Sequence, residues 1–372
     1  MADPKKKRIM QHPLFAISTR RWIRLLTKNG GVDRGYYTRA AFITIMSVGT
    51  APVRLLYRFR YARRVAQTSV PHPPVFIIGH WRSGTTYLHE LLSQDPQFCH
   101  VSLWTTLLPD SFLILEPMKG FLSRFLPKTR PMDAIEVAMD GPYEDEAALA
   151  VLCPWSFFHC LYFPRNAEEQ YLKAIHFQGM TMEEKDQWKN AYLQLIKAVT
   201  YANQGRRLLS KNPPNTARIT ALLELFPEAK FIYMIRDPYL VYLSTRKMRR
   251  NVLEVMALQK SSEADLEQQV IDNYIRLTHH YLEEKARIPP GNLMELRYED
   301  LVADPRGQIK RIYDTLKLPD LDQALPAIER YLAHKAEYKT NVYAIDPLVI
   351  QRVNECWGFT FDQWKYPRRG DQ

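Results

Sequence analysis

The chain of 372 residues is poor in cysteine. Its four cysteines form neither a CxxC pair nor a spacing typical of zinc ligands, and they stand at Cys99, Cys153, Cys160 and Cys356. A disulfide framework is not expected from so few cysteines in a chain of this length. No metal site is predicted, and we expect reduced, mostly buried thiols.

Long hydrophobic runs are also missing. The longest apolar stretch extends from about Ala40 to Val53, which is shorter than a membrane span. Polar or helix-breaking residues interrupt it at Thr44, Ser47, Gly49 and Pro52. No apolar segment with a small-residue cleavage site follows the basic start, so a secretory signal is not predicted. These features favour a cytoplasmic protein.

Acidic residues are scarce in the first 64 positions, although the whole chain carries a net charge of +11. A basic excess favours anionic partners, and basic amphipathic helices lie in lipid interfaces. Membrane-surface contact through residues 1–64 is therefore one hypothesis, and a helical arm packed on the main domain is the other. We predict a basic helical arm over 1–70 and one domain over 71–372, within which 109–200 form a helical cap.

Beyond residue 70, short apolar runs alternate with segments of helical periodicity. The predicted strands are Val75–Ile78, Arg207–Ser210, Phe231–Ile235 and Leu293–Arg297, and the predicted helices include Tyr87–Leu92, Thr216–Phe226 and Ile309–Leu316. Strands that alternate with helices are typical of a parallel sheet covered on both faces. The predicted fold class is α/β, a P-loop-like parallel sheet flanked by helices, with a helical cap over the binding site.

A glycine-rich loop, Gly79–Thr86, follows the first predicted strand and opens a helix. Backbone N–H groups at a helix start form an anion site. Gly79 and Gly84 have the spacing of a Walker A loop, but Thr85 stands where that motif has lysine. The cation stands earlier, at Arg82, so the loop favours a compact tetrahedral anion without a metal ion.

These residues resemble the 5′-phosphosulfate loop of sulfotransferases that use 3′-phosphoadenosine-5′-phosphosulfate (PAPS), in the arginine form of bacterial and tyrosylprotein enzymes. The resemblance extends over about residues 74–320. It implies PAPS as co-substrate and cofactor contacts from Arg82, Ser83, Gly84, Thr85 and Thr86.

Three further segments resemble cofactor motifs of the same family. Arg236 ends a predicted strand and Ser244 lies on the next helix, which resembles the family's 3′-phosphate motif; a guanidinium can contact phosphate oxygens in a bidentate manner. Tyr298, in Arg297–Val302, corresponds to a tyrosine that lies by the nucleotide. Lys339 is a candidate for the last basic loop, although the glycine-rich version of that loop is absent.

Sulfuryl transfer requires alignment of the acceptor, the sulfur and the leaving oxygen. It also requires neutralisation of the charge on the leaving phosphate and removal of a proton from the acceptor. Arg82 and Lys211 are candidates for the positive charge that neutralises the leaving phosphate. The family resemblance implies that a lysine at the position of Lys211 lies near the sulfuryl group. Pro213 occupies the position of the histidine base of cytosolic members. Glu144 is therefore the first candidate for the base and Glu146 the second, because their acidic segment resembles one in bacterial members.

The acceptor is left open by the sequence. Aromatic and aliphatic residues of the predicted cap suit a lipid-like acceptor, but core packing explains them equally, and a carbohydrate hydroxyl or an amine remains an alternative. No nucleic acid is expected as a partner, and the oligomeric state stays open. The alternative functions are a P-loop kinase or triphosphatase and a non-catalytic, membrane-associated nucleotide-binding protein.

Overall fold

The computed structural model describes residues 12–125, 138–335 and 345–370. The chain divides into two compact units, each made of three segments. The first unit comprises Met1–His72, Cys99–Leu208 and Arg250–Ser262. The second unit comprises Pro73–Phe98, Leu209–Arg249 and Glu263–Gln372. The predicted division into arm, domain and cap stays a prediction.

Five strands form one sheet, in the order β2-β3-β1-β4-β5. Their bounds are β1 Val75–Gly79, β2 Phe98–Cys99, β3 Arg207–Lys211, β4 Lys230–Ile235 and β5 Leu293–Arg297. β1 pairs in parallel with β3 and β4, and β4 pairs in parallel with β5. All five residues of β1 are buried, as expected for a central strand covered on both faces.

The α-helices of the described residues differ widely in length, and the longest belong to the middle and the end of the chain. In chain order they are α1 Thr19–Lys28, α2 Tyr37–Gly49, α3 Ala51–Arg60, α4 Ala62–Gln67, α5 Thr85–Leu92, α6 Leu103–Leu107, α7 Phe112–Leu115, α8 Lys119–Leu122, α9 Asp145–Leu152, α10 Phe157–Tyr162, α11 Ala167–His176, α12 Met182–Ala202, α13 Ile219–Leu225, α14 Pro238–Met256, α15 Glu263–Glu284, α16 Tyr298–Ala303, α17 Pro305–Leu316, α18 Leu321–Lys335 and α19 Pro347–Trp364.

Two apolar clusters lie in the core of the second unit. One joins β1, β4 and β5 to α5, α17 and α18, with Ile77, Leu88, Met234 and Ile312 among its members. The other joins α14, α15 and α19 through aromatic rings, and includes the stacked pair Tyr274–Trp357. These clusters hold the helices that begin at the carboxyl ends of the strands.

Local sequence signals set the helix boundaries. Asp304 Oδ1 accepts a hydrogen bond from Gly307 N, and Pro305 occupies the first turn of α17, where its missing N–H costs nothing. In the first unit, Thr181 and Glu184 form a reciprocal capping box at the start of α12. Each cap satisfies backbone N–H groups that a helix start leaves unpaired.

The structure confirms the α/β class and the parallel sheet, and it adds elements that the sequence prediction omitted. The predicted helix Thr216–Phe226 is shorter, because Pro213–Ala217 form a 3₁₀ turn before α13. The strand Phe98–Cys99 and the C-terminal helices α18 and α19 were not predicted. The stretch Arg34–Arg60, which contains α2 and α3, is long and apolar enough to cross a membrane, by length and composition only.

Candidate active site

The loop after β1 begins at a glycine that approaches the next strand closely. Gly79 has φ +130°, and a Cβ atom there would lie 2.6 Å from the backbone oxygen of Met234. The Thr216 hydroxyl accepts a hydrogen bond from Gly79 N at 2.8 Å and donates one to Gly79 O at 3.2 Å. Both backbone polar groups of this residue are thus satisfied, which fixes the start of the loop.

The middle of the loop is held by its own backbone and by one hydroxyl. Arg82 has φ +70°, a left-handed conformation that costs a non-glycine residue free energy. Ser83 is buried, and its Oγ donates to the backbone oxygen of His80 at 2.7 Å. A strained backbone conformation of this kind persists only where several surrounding contacts hold it in place.

Gly84 precedes the first turn of α5 and has φ +95°. A Cβ atom there would overlap the ring of Tyr298, with Cε2 at 2.9 Å. The motif tyrosine at the start of α16 therefore lies directly against the loop.

The two predicted cofactor motifs contact each other. Arg82 Nε donates to Ser244 Oγ at 2.8 Å, and Arg236 Nη1 donates to the backbone oxygen of Arg82 at 3.0 Å. The guanidinium of Arg236 also lies over the Tyr298 ring, 4.3 Å from its centroid. Loop arginine, strand-end arginine, helix serine and tyrosine thus come together within the second unit.

This arrangement has the chemistry of an anion site. The backbone N–H groups at the start of α5 are those that a helix cannot bond internally, and the helix dipole adds positive charge there. Thr85 is buried, whereas Thr86 is partly exposed. Since Ser244 Oγ accepts from Arg82, its own O–H can still donate to an anionic oxygen.

Lys211 ends β3 on the strand next to β1. Its Cα is paired with that of Ile77, two residues before Gly79. The side chain is 2% exposed. The parallel register therefore brings this lysine to the same edge of the sheet as the loop.

The two histidines beside the loop have structural partners. Burial lowers the pKa of His80 to about 4, and its Nδ1 bonds to the backbone oxygen of Trp81 at 2.8 Å. His89 is buried on α5, with Nε2 3.3 Å from the backbone oxygen of Leu209. His80 thus contacts the loop's own backbone, and His89 packs α5 against β3.

The acidic segment that contains the candidate bases belongs to the first unit, at the start of α9. Glu146 is fully buried, and its Oε1 accepts from Phe157 N at 2.7 Å, which caps α10. Asp145 Oδ2 accepts from Tyr192 Oη at 2.6 Å. Glu144 is the partly exposed carboxylate of the three, and its side chain does not cap α9.

Some supporting residues escaped the sequence prediction, and one predicted residue cannot be placed. From the sequence, Thr216 was assigned only to a helix and Glu299 only to the segment around Tyr298. In the structure, Glu299 Oε1 accepts a hydrogen bond from Asp237 N at 3.0 Å. Asp237 itself caps α14 through Tyr239 N. Lys339 lies outside the described residues.

Comparison with known sequences identifies relatives over most of the chain. Residues 73–323 match the model of the sulfotransferase family. Omega-hydroxy-beta-dihydromenaquinone-9 sulfotransferase Stf3 of Mycobacterium bovis and of Mycobacterium tuberculosis is 34% identical over 348 residues, which cover 93% of this chain and 89% of the relative. A putative protein-tyrosine sulfotransferase of Caenorhabditis elegans is 28% identical over 151 residues, 41% of this chain and 55% of that protein.

Two solved structures have the same fold. Sulfotransferase STF9 from Mycobacterium avium superposes with a TM-score of 0.66 at 18% identity, over 95% of this chain and 98% of STF9. Sulfotransferase STF1 from Mycobacterium tuberculosis superposes with a TM-score of 0.65 at 16% identity, over 91% and 90% of the two chains.

Proposed function

Since the chain belongs to the sulfotransferase family, we propose that it transfers the sulfuryl group of PAPS to a hydroxyl group of a lipid-like acceptor. Members of this family generally use PAPS as the donor. The observation that carries the donor assignment is the contact between the two motifs, in which Arg82 bonds to Ser244 and to Arg236, and Arg236 lies over Tyr298.

The residues of the loop fit the 5′ end of such a nucleotide. A side chain at position 79 would collide with Met234, and one at position 84 would collide with Tyr298. Glycine at both positions therefore lets the loop backbone pack closely against these residues. Thr85, Thr86 and the backbone N–H groups of the loop are the proposed donors to the 5′-phosphosulfate. Ser83 would join them by turning its hydroxyl from the backbone oxygen of His80 to the ligand. Arg82 supplies positive charge beside them.

Arg236 and Ser244 are the proposed ligands of the 3′-phosphate. The guanidinium donates one N–H to the backbone of Arg82 and has further N–H groups to donate. Tyr298 fixes the plane of that guanidinium from one side. We propose that Tyr298 thereby orients Arg236 and also borders the nucleotide.

In the proposed reaction, the acceptor oxygen forms a bond to sulfur while the bond between sulfur and the phosphate oxygen breaks. The products are a sulfate ester and adenosine 3′,5′-bisphosphate. Arg82 and Lys211 are proposed to stabilise the charge that grows on the leaving phosphate. The acceptor proton moves to a carboxylate.

Glu144 is the proposed base. Its neighbours Asp145 and Glu146 accept buried hydrogen bonds from Tyr192 and from the backbone of Phe157. A carboxylate that caps a helix is held in place by that bond, which favours a structural role for Glu146. Glu146 stays the second candidate.

The acceptor class is proposed from the relative that covers most of the chain. The mycobacterial Stf3 enzymes are named for a menaquinone derivative with a terminal hydroxyl group, and this chain is 34% identical to them over 348 residues. A hydroxyl group at the end of an apolar chain is therefore the proposed acceptor. We also propose that the enzyme works in the cytoplasm, where its donor is available, as a peripheral membrane protein.

Incubation with PAPS carrying radiolabelled sulfate tests this function. The purified enzyme is offered separately a detergent-dispersed polyprenyl alcohol, an oligosaccharide, a small phenol and a primary amine, and an Arg82→Ala variant serves as the control. We expect label in the lipid fraction alone, and none with the variant. Label in another fraction would contradict the lipid-like acceptor. Tight binding of adenosine 3′,5′-bisphosphate with no label anywhere would favour the non-catalytic alternative.

A further inference from the structure

The outward side of helices α2 and α3 is apolar. Large hydrophobic side chains stand there with more than half of their surface exposed. Phe59 is 81% exposed and Ile45 is 70% exposed, and the same side carries Tyr37, Val48, Leu55 and Leu56. Large apolar residues exposed together mark an interaction surface, whereas single ones are ordinary.

The exposed residues follow helical spacing from one helix into the next. Positions 37, 41, 45, 48, 52, 55 and 59 recur every three or four residues, and all of them are exposed and uncharged. The exposed residues from 40 to 57 include no charged side chain, and the small or polar ones among them are Ala41, Thr44, Gly49, Ala51 and Pro52. One continuous apolar stripe therefore runs along both helices.

Two charged residues of the same helices, Arg39 and Arg54, bond inward to the protein, whereas Arg58 and Arg60 at the end of α3 are exposed. Arg54 is buried, and it donates to Ala16 O at 3.2 Å and to Ser47 O at 2.5 Å. Arg39 donates to Ala257 O and to Glu254 O, each at 2.8 Å. A helix on the surface of a water-soluble protein has the opposite polarity, with its charges outward. The arrangement therefore fits an apolar environment outside the stripe.

Positive charge borders the stripe. Residues 12–70 contain eleven lysines and arginines and one acid, Asp33, whereas residues 71–372 contain 36 basic and 38 acidic residues. Asp33 forms an ion pair with Arg165 and accepts from Lys260 N. The exposed cations at the C-terminal end of the stripe are Arg58, Arg60, Arg63 and Arg64. Basic residues beside an apolar face match the charge of anionic lipid headgroups.

We propose that the outward side of α2 and α3 docks on an anionic lipid bilayer, with both helices parallel to the membrane plane. Phe59, Leu56, Leu55, Val48 and Ile45 then lie at the boundary of headgroups and acyl chains, and the arginines of residues 58–64 contact lipid phosphates. Such docking does not depend on the identity of the acceptor.

The inward contacts favour docking in the plane over a membrane span. Ile43, Ser47, Arg54 and Tyr57 are buried against the first unit's own residues. A spanning helix would have to leave those partners and carry Arg54 without them, at high cost in a hydrocarbon environment. Docking through the outward side leaves every one of these contacts in place.

Vesicle flotation of the full chain, without donor or acceptor, tests the proposal. The probes are phosphatidylcholine vesicles with and without one quarter phosphatidylglycerol. We expect the wild-type protein to float with the anionic vesicles, to release at high salt, and to wash off in alkaline carbonate. Ile45→Ser/Phe59→Ser and Arg58→Gln/Arg60→Gln should each lower the partition coefficient by about tenfold.

The control is Leu348→Ser, which removes an equally exposed apolar side chain from α19; it should bind vesicles like the wild type. Circular dichroism and binding of adenosine 3′,5′-bisphosphate establish that each variant is folded. Equal vesicle binding by wild type and Ile45→Ser/Phe59→Ser would overturn the proposal. Retention after carbonate would indicate a spanning helix instead. A wild-type dimer that the same variant converts to monomer, with no vesicle binding, would assign the face to a second copy.

Discussion

Arg82 Nε donates a hydrogen bond to Ser244 Oγ at 2.8 Å, which joins two motifs that are 162 positions apart in the sequence. The contact links the loop proposed for the 5′-phosphosulfate to the helix proposed for the 3′-phosphate. The two proposed phosphate sites are therefore joined directly by one side-chain hydrogen bond.

We expect Arg82 and Ser244 to behave as a coupled pair. A hydrogen bond from a charged donor contributes about 1.5–3 kcal/mol, so Arg82→Gln and Ser244→Ala should be non-additive in the free energy of unfolding. Denaturant titration of the two single variants and the double variant, without nucleotide, measures the coupling. The pair Arg82→Gln and Thr245→Val serves as comparison. Additive effects at Arg82 and Ser244 would show that the bond contributes nothing.

Replacement of Gly84 by alanine should impair both folding and nucleotide binding. The new Cβ would overlap the Tyr298 ring, and the residue has a positive φ. We expect a loss of at least about 2 kcal/mol in stability and at least tenfold weaker binding of adenosine 3′,5′-bisphosphate, measured by calorimetry.

Gly179 provides a matched control for that substitution. It has φ +70°, and a Cβ atom added there would have no other atom within 4 Å. Gly179→Ala should therefore show the backbone cost alone and leave binding unchanged. The double variant Gly84→Ala/Tyr298→Ala should recover stability relative to Gly84→Ala. Equal losses from the two glycine substitutions would exclude the ring as the cause.

Glu144 and Glu146 should respond differently to the same substitution. With Glu144 as the base, Glu144→Gln should lower kcat by about 10²–10⁴-fold and leave stability and nucleotide affinity unchanged. Glu146→Gln should mainly lower the unfolding temperature, since its buried carboxylate caps α10. The reverse pattern would assign the base to Glu146. Kinetics at saturating donor and thermal denaturation give the two readouts.

Acid should destabilise the fold through two buried histidines. Burial lowers the pKa of His12 and of His80 to about 4 from 6.5. Between pH 4 and pH 6.5 the unfolded chain therefore binds more protons at these histidines than the folded protein does. Stability is lost as the pH falls from about 6.5 towards 4. Each histidine should contribute a loss of about 2 kcal/mol at pH 5. Denaturant titrations at pH 7 and pH 5 measure it.

His80→Asn separates the histidine effect from that of the carboxylates. The asparagine amide can donate to Trp81 O as Nδ1 does, but it does not titrate. The variant should lose less stability between pH 7 and pH 5 than the wild type does. An unchanged pH dependence would mean that His80 is accessible to protons in the folded state.

The sequence predicted the sheet and the loop because their signals are local. Val75–Gly79 is a run of apolar residues that ends in glycine, and both the buried strand and the turn follow from that order. The terminal helices α18 and α19 were not predicted from the sequence. The contact between Tyr298 and Gly84 could not be predicted, since 214 positions separate the two residues.

The membrane-docking face shows another limit of sequence patterns. From the sequence alone, Ala40–Val53 is too short and too interrupted to span a membrane, and surface contact through residues 1–64 is an open hypothesis. Pro52 stands in the first turn of α3, where the helix tolerates it, so the apolar side continues to Phe59. Which side of the helix faces outward depends on the partners of Arg39 and Arg54, and those partners are distant in sequence.

The close approach of Gly84 and Tyr298 also limits how this enzyme could evolve. Any side chain at position 84 would collide with the ring, and a smaller residue at position 298 would remove the surface on which Arg236 rests. Neither position can change first without loss. Natural variants of this site should therefore retain both residues or replace both of them, so that the two positions co-vary across homologues.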